Sequence, residues 1–219
     1  MKQGYLLALA GCFLLTGCMD MTLDMAIKQD GSAALALRVE MLDQLYQNLH
    51  ALATTAGADL SFLDSDALQD HLKSYGGEVR EFSEDLKDGV RTLKIAADVG
   101  EGTRWLNEAA KEQMGLEKEG EVWVWRLLDS ELGSSLAGMD DAMIDQQLAV
   151  LIPQMTGLRW KIELTVPELV DTNMTRADDR TARFTLDFDA DIADKPQQKA
   201  ISAFRAFLAP KWIKFKGLP

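Results

Sequence analysis

Two runs of alternating apolar and polar residues near the start of the chain constrain its fold more than any other feature. Between Met19 and Ile27 every odd-numbered position is apolar, and residues 33–39 alternate in the same way. A period of two residues is typical of a β-strand with one buried face. Asp30 and Gly31 lie between the runs and suit a tight turn that needs positive φ. The sequence therefore predicts a β-hairpin that begins at residue 19.

The first 18 residues have the layout of a removable secretory signal. Lys2 supplies a positive charge, and an apolar run over residues 5–15 follows it. The run ends in Leu15-Thr16-Gly17-Cys18. This motif resembles the lipobox of bacterial lipoproteins, and the resemblance implies cleavage before Cys18, a diacylglycerol thioether on its sulfur and acylation of the new amino terminus. We therefore expect residues 1–17 to be a signal peptide and Cys18 to be lipidated.

A second cysteine leaves an alternative open. Leu9-Ala10-Gly11-Cys12 fits the same pattern, but cleavage there leaves an apolar segment of only residues 5–11, at the short end of the roughly 7 to 15 expected, so we prefer Cys18. An uncleaved anchor needs about 17 to 25 apolar residues, more than this run provides. In Gram-negative lipoproteins an Asp directly after the lipidated Cys favours inner-membrane retention. That position is Met19 here, so the resemblance implies an outer-membrane protein that faces the periplasm.

The composition favours one packed domain without thiol chemistry. Hydrophobic residues make up 47% of the chain, which suits a single core over residues 18–219. The two cysteines are Cys12, lost with the signal peptide, and Cys18, modified by lipid. Disulfides, a cysteine nucleophile and a cysteine metal site are therefore excluded. A formal net charge of −12 argues against a nucleic-acid partner.

Beyond the first hairpin, helical and strand patterns alternate along the chain. Apolar residues at helical spacing, bounded by capping residues and by Gly or Pro, predict helices over residues 41–56, 65–75, 103–114, 140–152 and 194–208. Residues 167–180 are polar, and the alternating runs elsewhere predict strands over residues 78–86, 90–99, 122–125, 158–166, 181–192 and 212–215. This order predicts a single α+β domain, in which antiparallel β-hairpins alternate with helices packed on one face of the sheet.

Several of these features together resemble the LppM-type envelope lipoproteins. A strand follows Leu15-Thr16-Gly17-Cys18 at once, a turn lies at Asp30-Gly31-Ser32, and Val166-Pro167 ends a late strand before Asn173 and a further strand. The resemblance spans most of the mature chain. It implies an α+β lipoprotein domain linked to lipid or glycolipid binding, with no catalytic residues. Glu168 stands where the family tends to have a glycine after the proline.

Side chains suited to catalysis are sparse. His50 and His71 each fall on a predicted helix without a companion at metal-ligand spacing, so we expect structural or surface roles for both. Ser135 lies in Gly133-Ser134-Ser135-Leu136-Ala137, which lacks the final glycine of the G-x-S-x-G nucleophile motif and does not follow a strand directly. We therefore predict no catalytic residues, no metal site and no cofactor, and a serine hydrolase is the least favoured function.

Three carboxylates alternate with apolar residues late in the chain, at Asp187, Asp189 and Asp191. In a strand over residues 181–192 they share one face, which we interpret as a solvated face. A calcium loop of the EF-hand type is the alternative, but its required glycine and glutamate are missing.

The C-terminal segment 195–216 is the most informative feature for function. It carries six basic residues, and no acidic residue follows Asp194. Aromatic residues interleaved with lysines suit a membrane interface with anionic headgroups or an acidic protein partner. The candidate contact residues are Lys211, Trp212, Lys214, Phe215 and Lys216. The alternative is a final helix docked on the sheet, with its lysines neutralising the protein's own acidic face.

Together these features predict a membrane-anchored envelope lipoprotein that acts as a non-catalytic binding module. Its partners are the membrane, through lipidated Cys18, and a lipid or another apolar ligand in a groove between the sheet and its helices. The alternative is a scaffolding or assembly subunit that binds another envelope protein.

Overall fold

The computed structural model describes residues 19–56, 65–108, 115–127, 149, 152, 155–209 and 211–219. In chain order the strands are β1 (Met19–Ile27), β2 (Ala33–Leu42), β3 (Gly77–Lys87), β4 (Val90–Val99), β5 (Leu116–Glu119), β6 (Val122–Leu127), β7 (Leu158–Thr165), β8 (Glu168–Thr172), β9 (Thr175–Arg176), β10 (Thr181–Asp187) and β11 (Lys211–Lys216). The helices are α1 (Asp43–Ala56), α2 (Ser65–Lys73), α3 (Gly102–Glu108) and α4 (Gln197–Leu208), with a π-helix at Asp189–Ala193. This mixed content confirms the predicted α+β class.

A seven-stranded sheet forms the centre of the fold, in the order β3-β4-β2-β1-β7-β10-β9. β1 and β2 form the predicted antiparallel hairpin, with Met19 opposite Met41 and Ile27 opposite Ala33. β1 also pairs in parallel with β7, where Met19 lies opposite Leu158. The expectation of antiparallel hairpins did not include this parallel pair. Because of it, β1 is the middle strand of the sheet.

One face of this sheet, which we call the inner face, is buried. On β1 it carries Leu23, Met25 and Ile27, which are 7%, 3% and 1% exposed. Asp24, between them, is exposed on the opposite face. The alternation in the sequence therefore separates a core face from a solvated face, as expected for a strand covered on one side only.

A second sheet of four strands, in the order β5-β6-β11-β8, contributes to the same core. Trp125 of β6 and Ile213 and Phe215 of β11 are fully buried, and they join Leu23 of β1 in what we call the sheet-to-sheet cluster. Burial of a side chain of this size contributes about 1.5 to 3 kcal/mol. The sequence did not predict β5, whose four residues are too short to show a period, or β8, which lies in the polar segment 167–180.

Two further apolar clusters complete the core. In the α2 cluster, Leu68 and Leu72 of α2 join Leu93 of β4. In the α4 cluster, Phe204 of α4 joins Leu186 of β10 and Phe188. The ring centroids of Phe204 and Phe188 are 5.8 Å apart in an edge-to-face arrangement. Each cluster therefore links a helix to the strands of the large sheet.

Several element boundaries differ from the predicted ones. β2 continues to Leu42 because its last residues pair with β4, so α1 begins at Asp43 rather than at residue 41. β10 ends at Asp187, and the π-helix replaces the remainder of the predicted strand. The end of the predicted helix over 103–114, and most of the one over 140–152, fall outside the described residues. None of the described helices is long and apolar enough to cross a membrane.

Candidate functional site

The three clusters meet over the central strands of the seven-stranded sheet. Five hydrophobic side chains each pack against two of the clusters and are only partly buried. We call these five residues the junction: Met19 and Met21 of β1, Leu37 of β2, Trp105 of α3 and Phe184 of β10. Inner-face positions on middle strands are normally covered by the layer packed on them. The junction is therefore the candidate site for an apolar ligand.

The side chains of the junction suit a ligand of irregular apolar shape. Methionine has three rotatable bonds and a polarizable sulfur, so Met19 and Met21 can adapt to a ligand surface. Trp105 and Phe184 add flat aromatic surface. The ammonium group of Lys211 lies 5.3 Å from the centroid of the Phe184 ring. An apolar surface of this kind suits the acyl chain of a lipid.

His71 lies at the edge of the junction, exposed on α2. Its Nε2 atom accepts a hydrogen bond of 3.3 Å from the indole N–H of Trp105, and its ring centroid is 5.6 Å from that of Tyr75. Arg104 lies over the same tyrosine, 5.3 Å from its ring centroid. The hydrogen bond to His71 orients the indole ring of Trp105. No local pattern indicates these contacts, because 34 residues separate His71 from Trp105.

Lys211 is 8% exposed, so the prediction that it belongs to a contact surface is wrong. The strand turns its side chain toward the core, where Nζ donates to the carbonyl oxygens of Ala206 at 3.0 Å and Ala209 at 2.7 Å. A cation at the C-terminal end of α4 complements the helix dipole. Burial lowers the pKa of the Lys211 ammonium group from its ordinary value.

The other side chains of β11 also alternate between a buried and a partly exposed face, because successive residues of a strand point to opposite sides of the sheet. Phe215 and Ile213 are fully buried, so the prediction of a contact role is also wrong for Phe215. Trp212, Lys214 and Lys216 lie on the opposite face of the strand and are partly exposed. A contact between these three residues and a membrane or a partner stays a prediction.

Acidic residues from β5 and the turn after it lie beside the exposed lysines of β11. Lys214 Nζ is 3.6 Å from a carboxylate oxygen of Glu119, and Lys216 Nζ is 3.8 Å from one of Glu121. Arg126 of β6 also donates to Glu119, at 3.2 Å. Exposed pairs of this kind contribute at most about 1 kcal/mol each. They do support the alternative interpretation, in which the basic segment neutralises the protein's own acidic surface.

The three aspartates near the end of β10 do not share a strand face, which corrects the sequence interpretation. Asp187 ends β10, whereas Asp189 and Asp191 belong to the π-helix. The Asp189 carboxylate accepts a hydrogen bond of 3.0 Å from the Gly157 N–H, and the Asp191 carboxylate accepts one of 2.9 Å from the Asp187 N–H. The carboxylates of Asp189 and Asp191 therefore stabilise the local backbone conformation through these hydrogen bonds. Within the described ranges, no three His, Cys, Asp or Glu side chains form a group that could hold a metal ion.

Two surface hollows lie away from the junction. One, of about 430 Å³, is lined by Thr165 and residues 178–181. The other, of about 180 Å³, lies on the solvated face of the seven-stranded sheet over Ala26, Ala34 and Ala36. Both are wide open to solvent, so neither encloses a ligand.

Other predicted residues lie outside the described part of the chain. They are Cys12, Cys18 and Ser135, together with the side chain of His50. Lipidation and the hydrolase hypothesis therefore stay predictions.

No protein-family model matches the chain, and no curated protein matches it. Among solved structures, the chain is similar to the NMR structure of the folded domain of LppM from Mycobacterium tuberculosis. The two share 10% sequence identity with a TM-score of 0.41, over 92% of this chain and 91% of that one. LppM gives its name to the family that the sequence resembles, but this identity and TM-score are too low to place the chain in that family.

Proposed function

We propose that this chain is a lipid-anchored envelope protein whose α+β domain binds a lipid or a similar apolar ligand at the junction. The observation that carries the proposal is the incomplete burial of Met21 and Leu37 on the inner face of the two central strands. Each Å² of apolar surface left in water costs roughly 25 cal/mol. A ligand that covers this surface gains that free energy on binding.

The proposed anchor is the acylated Cys18, supported by the motif Leu15-Thr16-Gly17-Cys18. β1 begins at Met19, so the anchored residue is bonded directly to the central strand. The domain therefore sits close to the bilayer, where it can exchange lipid with the membrane. By the resemblance to Gram-negative lipoproteins, this membrane is the outer membrane, with the domain in the periplasm.

The test of ligand binding uses residues 19–219, purified without the anchor and titrated with cis-parinaric acid, whose fluorescence rises in apolar surroundings. Leu37→Trp adds volume at the junction, and we expect it to weaken probe binding by about tenfold or more, equivalent to roughly 1.4 kcal/mol. Arg38→Trp adds an indole to the solvated face of the same strand and should leave the affinity unchanged. A protein that does not bind the probe, or equal binding by the two variants, would contradict the proposal.

A second candidate function is that of a scaffolding subunit, favoured by the partly exposed Trp212. The ammonium group of Lys214 lies 5.7 Å from its ring centroid. Aromatic side chains beside cations are common anchors of protein interfaces. Crosslinking in cells should then capture a stoichiometric protein partner, and Trp212→Ala should abolish the crosslink. A crosslink that survives this substitution argues against the surface.

A further inference from the structure

Exposed large hydrophobic residues gather at one end of the seven-stranded sheet. Leu42, Leu86 and Val90 are 39%, 57% and 38% exposed. Leu42 ends β2, Leu86 is the next-to-last residue of β3, and Val90 begins β4. We call these three residues the rim. Val170 of β8, which is 41% exposed, lies in the other sheet.

The rim lies at the end of the sheet where β1 begins. Met19 pairs with Met41, Met41 pairs with Arg91, and Arg91 pairs with Leu86. One row of residues therefore crosses four strands from the start of β1 to the rim. Leu42 and Val90 pair with each other in the next row, one residue closer to the end of the sheet. Neighbouring strands are about 4.8 Å apart, so the row is about 14 Å long.

Covalent geometry fixes where an anchor on Cys18 enters the membrane. Cys18 is bonded to Met19, so an acyl anchor on Cys18 is attached at the end of the sheet where β1 begins. Acyl chains on Cys18 hold this end against the bilayer. We propose that the rim, formed by Leu42, Leu86 and Val90, inserts into the headgroup boundary of the membrane that carries the anchor. This inference rests on the proposed lipidation of Cys18.

One charged group beside the rim, the guanidinium of Arg91, is paired with two carboxylates. Arg91, whose side chain is 15% exposed, forms ion pairs with Asp43 and Glu84. Its guanidinium carbon lies 4.2 Å from the ring centroid of Tyr46. Pairing lowers the cost of moving a cation and two carboxylates toward hydrocarbon. Arg91 and its two partners can therefore approach the bilayer at a lower cost. Lys87 and Asp88, exposed between Leu86 and Val90, would lie among the headgroups.

The basic end of β11 lies at the other end of the large sheet. β7 starts opposite Met19 and runs for eight residues, which is about 23 Å, before the chain reaches Pro167. Gly217 packs so closely against Pro167 that a Cβ atom on the glycine would lie 2.8 Å from the proline Cβ. Lys216 is therefore remote from the anchor, and the rim rather than the basic strand faces the membrane.

The test places a fluorophore on the full-length lipidated protein in phosphatidylcholine vesicles that contain nitroxide-labelled lipid. The mature chain should have no free thiol, so Leu86→Cys and Val90→Cys each give one site for the dye NBD. Val170→Cys is the matched control at an exposed hydrophobic position. We expect nitroxide quenching to be about threefold or more stronger at both rim positions than at the control, because only the rim enters the interface. Equal quenching at all three positions would overturn the inference.

Flotation of the vesicles distinguishes failure of the rim from failure of the anchor. If the protein floats with the vesicles but quenching at the rim is no stronger than at the control, the proposed insertion of the rim is wrong and the proposed lipidation stands. If the protein does not float, or if the unsubstituted protein reacts with the dye at Cys18, both the proposed lipidation and the proposed insertion of the rim are wrong.

Discussion

Replacement of Phe215 by alanine tests whether β11 belongs to the core. The side chain is fully buried in the sheet-to-sheet cluster and is paired in register with Trp123 of β6 and Leu169 of β8. Removing a buried phenyl ring loses its transfer free energy and leaves a cavity that the neighbours fill only in part. Such a change costs about 3 to 5 kcal/mol. We expect the free energy of unfolding of Phe215→Ala to fall by this amount.

Lys216→Ala, one residue along the strand, is the matched control. Its side chain is 41% exposed and its ion pair with Glu121 spans 3.8 Å, so its loss should cost no more than about 1 kcal/mol. Both variants of residues 19–219 are unfolded in urea and followed by far-UV circular dichroism. With an m-value of about 2.5 kcal/mol/M, Phe215→Ala should lower the midpoint by about 1 to 2 M. Similar shifts for the two variants would refute the assignment of Phe215 to the core.

Three further predictions concern stability. Gly102→Ala should lower the melting temperature, since the new Cβ would lie 2.5 Å from the Ala33 Cβ and overpacking costs about 1 to 3 kcal/mol; unchanged melting would refute the close contact. Arg91→Ala should cost about 1 to 3 kcal/mol in urea unfolding, because two carboxylates lose their cation, and a neutral effect would count against the network. A hydrogen bond from Arg183 lowers the pKa of Glu163 below its ordinary 4.5, so this carboxylate stabilises the fold above that pH and loses the effect as the pH falls through the lowered pKa. The stability difference between wild type and Glu163→Gln should therefore be largest at neutral pH and vanish in strong acid, and a difference independent of pH would contradict this origin.

The local hairpins were predictable from the sequence because their signals lie within a few residues. Alternation over β1 and β2, together with the turn at Asp30 and Gly31, was enough to set the pairing. The parallel pairing of β1 with β7 was not predictable, since it joins segments more than 130 residues apart and leaves no local pattern. The same pairing puts β1 in the middle of the sheet and so creates the junction.

The errors on β11 and the aspartates also have physical causes. Lysines next to aromatic residues suggested a surface segment, but a strand between two others must bury every second residue, and Lys211 lies in phase with Phe215. The spacing of two residues between Asp187, Asp189 and Asp191 is typical of a strand. The hydrogen bond from the Gly157 N–H to the Asp189 carboxylate nevertheless favours the π-helix. Both outcomes depend on contacts between segments distant in sequence.

Native mass spectrometry of residues 19–219, followed by organic extraction, tests the central claim most directly. If the junction binds an apolar ligand, the unmodified domain carries a discrete lipid mass, and Leu37→Trp removes it while Arg38→Trp retains it. A monodisperse domain with no bound lipid, even after incubation with a lipid extract, would contradict the proposed function and favour the scaffolding subunit.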